Sequence, residues 1–138
     1  MNDSVVRFQP SSSYDEALAR AGAAWGIEAE YWDIWGKHHV PSAEARQAVL
    51  RSLGVPCETR EQLDQALEER LWLEWATPTT ATVVASDSRP AQLALNVPEE
   101  FSGGVLHAEL TWENGESAAV SAPVASLPLL KNAELRGR

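Results

Sequence analysis

Aromatic side chains dominate the residues of this sequence that could do chemistry. Six tryptophans occur in 138 residues, and two of them, Trp32 and Trp35, fall within the run Tyr31-Trp32-Asp33-Ile34-Trp35-Gly36. An exposed aromatic ring turns an electron-rich face to solvent, and the C–H bonds of a sugar ring stack against such a face. Tyr31 and Trp32 are therefore candidate substrate-binding residues. The same residue types also fill small cores. Tyr31, Ile34 and Trp35 make one helical stripe that would pack with Leu71 and Trp75, and this packing role is the first expectation. Trp32 is the exception, because a helical angle turns it away from Ile34 and Trp35.

Other reactive groups are sparse. His38-His39 with Asp33 and Glu30 has metal-ligand types, but adjacent histidines do not readily bind one ion from a regular element, and no motif supplies a third ligand. The pair is expected to be solvated or to cap a helix end. Cys57, the single cysteine, is flanked by Pro56 and Glu58. A neighbouring acid disfavours the thiolate, so a structural thiol is expected. Glu61, Glu68, Glu69 and Glu74 lie along one charged helix rather than facing each other across a cleft, as glycosidic acid–base pairs must. His107 falls on the polar side of a strand. No phosphate loop or nucleophile elbow is present, so no catalytic residue, metal or cofactor is assigned.

The elements that would position these residues change character along the chain. Residues 1–13 read as a disordered tail, with Gln9-Pro10-Ser11-Ser12-Ser13 rich in turn formers. Asp15 to Trp25 reads as a helix with acids at its start and Leu18, Ala21 and Trp25 on one face. A short second helix is expected over Glu28 to Trp35, ended by Gly36. Ser42 caps a third, with Ala45, Ala48, Val49 and Leu53 lining one side and Gly54 stopping it. Thr59-Arg60-Glu61-Gln62 fits a capping box for a fourth. There Leu63, Leu67, Leu71 and Trp75 recur at i+4, with Asp64 among the outward acids.

Past Pro78 the period becomes two. Thr80–Ala85, Leu93–Val97 and Leu106–Trp112 read as strands, and Asn114-Gly115 as a hairpin turn leading to a partner over Ser117–Ser121. A further edge strand is expected near Leu127–Leu135. The fold class is thus α+β: a helical module of about four helices over 14–77, then a short antiparallel β module over 78–138 that is expected to be a truncated part of a β-sandwich.

Composition bounds the function. Twenty acidic against eleven basic residues give a net charge of −9, which repels phosphate and argues against nucleic acid. No apolar run approaches the ~18–20 residues that span a bilayer, and no secretory signal is visible, so a cytoplasmic protein without membrane contact is expected.

The segments Gly26 to His39, Val40-Pro41-Ser42 and Arg51 to Pro56 resemble the N-terminal extension of bacterial 4-alpha-glucanotransferases, the amylomaltases. That extension carries a Gly-Ile-x-x-x-Tyr-x-Asp-x-Trp/His-Gly segment and then a Ser-x-Glu-Thr-x-Arg helix ending in Leu-Gly-Val, here Ser42 to Val55. Leu67 to Trp72 and Leu110 to Gly115 resemble its later helix and hairpin, so the likeness runs over roughly residues 14–136.

In that family α-1,4-glucan transfer takes place in a (β/α)₈ barrel with an Asp nucleophile, a Glu acid/base and an Asp stabiliser. None of those motifs is found here. The resemblance therefore implies a non-catalytic accessory domain that aids α-glucan binding, with the catalytic barrel missing and the sheet falling short of the ~7 strands of a common sandwich. A fragment or a free-standing truncated relative is expected. The alternative is an interaction module that forms a homodimer through an exposed sheet edge, near Leu127–Leu135 or Thr80–Ala85.

Overall fold

The computed structural model describes residues 5–86 and 88–137 and divides into two compact units, Arg7–Glu74 with Leu135–Arg138, and Met1–Val6 with Trp75–Glu134. Among the described residues three α-helices are formed: α1 (Tyr14–Ala24), α2 (Ala43–Ser52) and α3 (Arg60–Ala76). Their starts follow from side-chain chemistry. Ser13 and Ser42 accept from the backbone N–H groups of Glu16 and Ala45, closing the first turns of α1 and α2. At α3 the capping box forms in full: Gln62 N donates to Thr59 Oγ1 at 3.2 Å and Thr59 N to Gln62 Oε1 at 3.3 Å. Gly26 and Gly54, each with positive φ, follow the ends of α1 and α2.

The core lies in the helical unit. Ala17, Leu18 and Ala21 of α1 meet Leu50 of α2 and Leu63 and Leu67 of α3, with Val55 and Cys57 from the connecting segment. Trp25, Phe8 and Tyr14 pack against its margin, and Tyr14 Oη donates to the Cys57 carbonyl at 2.7 Å. The buried position of α2 is Leu50, whereas Val49 and Leu53 of the expected apolar side are 43% and 52% exposed. Ala45 and Ala48 are exposed as well. With Leu50 as the only large side chain driven fully inside, α2 is rotated from the stripe that its alanines suggested.

Asp64, expected to face outward, is buried beside Ser11. Its carboxylate accepts from Ser11 N at 3.0 and 3.2 Å and from Ser11 Oγ at 2.6 Å. Arg20 Nη1 donates to Ser11 Oγ and to the Gln9 carbonyl, both at 2.8 Å. A buried carboxylate requires such partners. The segment expected to be a disordered tail thus contributes Ser11, Ser13 and the edge residue Phe8 to this unit; residues 1–4 lie outside the described residues. Leu135, expected in the β module, is also buried with the helical unit.

Among the described residues a fourth α-helix is not formed. The segment expected to be helical over 28–35 instead enters an antiparallel hairpin, β1 (Tyr31–Trp32) with β2 (His38–His39). In the other unit, β3 (Val105–Thr111) pairs with β4 (Ser117–Pro123) from Val105 opposite Pro123 to Thr111 opposite Ser117. The sheets are two-stranded. Thr80–Ala85 and Leu93–Val97 are not strands; Asn96 instead donates its N–H to the Pro78 carbonyl and its side-chain amide to that of Thr77, both at 2.8 Å. The region near Leu127–Leu135 contributes a single parallel bridge, Val6 with Ala133. The fold is therefore mixed helix and strand with two small antiparallel sheets. Among the described residues no helix is long and apolar enough to cross a membrane.

Candidate functional site

The residues singled out for sugar contact fall on the β1–β2 hairpin, whose turn is built by one side chain. Asp33 Oδ1 accepts from the backbone N–H groups of Trp35 and Lys37, both at 2.9 Å. Asp33 N donates to the Lys37 carbonyl and Gly36 N to the Asp33 carbonyl, both at 3.0 Å. Gly36 has φ +77°. A short polar side chain that captures nearby N–H groups offers the backbone an alternative to a helix, and here that alternative wins.

Successive strand residues project to opposite faces, which sorts the chemistry into two sets. Tyr31 stacks on His39, with centroids 5.0 Å apart and ring planes 15° apart. His39 Nε2 lies 2.9 Å from Asp33 Oδ2. On the other face the Trp32 and His38 rings lie 4.4 Å apart at 31°, and His38 Nε2 is 3.0 Å from Glu30 Oε2. Each face thus holds an aromatic ring, an imidazole and a carboxylate. The contact with His39, followed by the Lys37 and Trp35 N–H groups, holds the Asp33 carboxyl below its ordinary value.

The packing expectation for the aromatic run is overturned. Tyr31, Ile34 and Trp35 are 48%, 89% and 83% exposed, so they do not form a core stripe with Leu71 and Trp75. Trp32 is 61% exposed. Tyr31 and Trp32 are adjacent on one strand but aimed at opposite faces. His38 and His39, expected to be a solvated pair or a helix cap, form β2 and each holds a carboxylate. Because they too alternate, the two imidazoles do not converge on one point. Among the described residues no three His, Cys, Asp or Glu side chains are grouped to hold a metal ion. Cys57 is buried and directs its thiol to the Gln47 carbonyl at 3.6 Å. His107 Nδ1 lies 2.7 Å from Ser121 Oγ across β3 and β4.

Sequence reasoning missed the pairing of Trp32 with His38 and Glu30. A signal for it was present. Asp33-Ile34-Trp35-Gly36 repeats the spacing of Trp112-Glu113-Asn114-Gly115, and both turns close identically: Trp112 N donates to the Glu116 carbonyl at 2.8 Å, and Gly115 N to that of Trp112 at 2.9 Å.

No family model matches the chain, and no solved structure matches it. Curated relatives do. Proteins named 4-alpha-glucanotransferase from Mycobacterium bovis and from two strains of Mycobacterium tuberculosis are each 31% identical over 103 residues, 75% of this chain. The chain is similar to part of 4-alpha-glucanotransferase. The resemblance read from the sequence is thereby shown. The match spans 14% of the length of each glucanotransferase. Glycosyl transfer uses two carboxyl groups that flank one glycosidic bond. On the hairpin, Glu30 and Asp33 lie on opposite faces and do not make such a pair.

Proposed function

We propose that this chain acts as a non-catalytic accessory domain, equivalent to the N-terminal extension of a 4-alpha-glucanotransferase, and contacts α-1,4-glucan through the hairpin that carries Tyr31 and Trp32. One observation carries the reading: 75% of the chain matches glucanotransferases while covering 14% of their length. Its partners on this reading are a maltooligosaccharide and a catalytic barrel supplied by further polypeptide, in the cytoplasm. The exposed Tyr31 and Trp32 rings support the contact, since a platform for sugar must be open to solvent.

Two measurements test it. Incubation of the chain with maltotriose is expected to give no disproportionation products; their appearance would refute the non-catalytic reading. Retention on an amylose column is expected to be weak, lost in Trp32→Ala and kept in Trp112→Ala. Equal retention of both variants removes the hairpin from glucan contact.

The second reading, an interaction module, is favoured by the two-stranded form of the β3–β4 sheet, which leaves one backbone edge of each strand outside the pairing. It proposes a homodimer through one of those edges. A monomeric mass by light scattering at high protein concentration rules it out.

A further inference from the structure

The two faces of the β1–β2 hairpin are alike in chemistry and unlike in what their groups already do. On the Tyr31 face, Asp33 has both oxygens engaged, Oδ1 by two backbone N–H groups and Oδ2 by His39. The His39 and Asp33 side chains are 33% and 21% exposed. That face builds the turn. On the Trp32 face, Glu30 contacts His38 through Oε2 alone, and the His38 and Glu30 side chains are 43% and 56% exposed.

We infer that Trp32, His38 and Glu30 form the ligand-binding face, and that it takes a neutral pyranose unit. This rests on the glucan reading above and narrows it to one side of the hairpin. One face of the Trp32 indole lies against the His38 ring, and the outer face of this exposed side chain offers an apolar ring of sugar-like dimensions for C–H stacking. Glu30 accepts from a hydroxyl at the rim of the indole, and His38 backs the indole and holds Glu30 through Nε2. An anionic ligand is disfavoured by the Glu30 carboxylate at the site and by the net charge of −9. Tyr31 is then a positioning residue, holding His39 against Asp33 behind the sugar.

The test is a titration of the full chain with maltoheptaose, followed by amide, indole and imidazole NMR signals. The Trp32 indole and the His38 ring are expected to shift while the His39 ring stays in place. Glu30→Gln, which keeps the side chain's shape, is expected to weaken binding about tenfold, the effect of losing one charge-assisted hydrogen bond. Trp32→Ala is expected to abolish binding, with the amide spectrum outside the hairpin unchanged. Shifts centred on His39 and Tyr31 or on Trp35, or an unaltered affinity in Glu30→Gln, overturn this face while leaving glucan contact intact. No shift anywhere in the unmodified chain overturns the glucan reading and this inference together.

Discussion

At the scale of single residues, Asp33 determines more local structure than any neighbour on the hairpin. It holds the turn through one oxygen and His39 through the other. A carboxyl whose folded-state pKa is depressed contributes stability above its unfolded value and loses it as pH falls through the folded value. The His39 contact and the Lys37 and Trp35 N–H groups hold the Asp33 carboxyl below the ordinary aspartate range. The Trp35 and Lys37 amide resonances are therefore expected to titrate with a midpoint lower than that of an aspartate in an unstructured peptide. A midpoint at or above that of the unstructured aspartate would contradict the hydrogen-bond assignment. Asp33→Asn keeps an acceptor for both N–H groups and is expected to abolish this titration. None of this was legible at Asp33 itself, which reads equally as a helix residue or a turn former. The Asp64–Ser11 contact was invisible for a different reason: 53 residues separate the partners, and no local pattern announces a pairing at that distance.

At the scale of elements, legibility followed the caps. Ser42 and Thr59, read as caps, each accept from the N–H group three residues along, and Ser13 does the same at α1, which was read from its leading acids and apolar face, so all three helices were readable from short windows. The β3–β4 hairpin was readable from alternation and Asn114-Gly115. The β1–β2 hairpin shows no period, because its strands are two residues long, and its signal is the turn spacing it shares with Trp112–Gly115. Gly36 supplies its test. An added Cβ would meet nothing within 4 Å, so Gly36→Ala suffers only the backbone penalty of φ +77°, about 1–2 kcal/mol. The hairpin resonances of Tyr31 to His39 are expected to shift toward unpaired values, while the melting temperature of the α1–α3 core changes little. A matching loss of core stability would show that the hairpin and core fold as one unit.

Across the whole molecule, burial is concentrated in one of the two units. Leu50, Leu63 and Cys57 are the largest fully buried side chains, and all belong to the helical unit. Among the described residues from 75 to 134, none reaches the buried state, and Leu106, Ala108 and Ala122 are half-buried at most. A two-stranded hairpin without a covered apolar face is marginal in water. Native-state hydrogen exchange is therefore expected to protect the central amides of α1 and α3 by orders of magnitude more than those of β3 and β4. Comparable protection would mean that the β3–β4 sheet is covered in solution. The sequence by itself determined the three capped helices, the β3–β4 turn, the acidic balance and the likeness to glucanotransferases, because each depends on residue type or on neighbours a few positions apart. Only the tertiary structure decided that Asp64 turns inward to Ser11, that Leu135 joins the helical unit, and that Trp32 shares a face with His38 and Glu30. Those outcomes depend on which chain segments meet: a desolvated carboxylate must find donors wherever they lie, and a strand acquires its face only from the partner it pairs with.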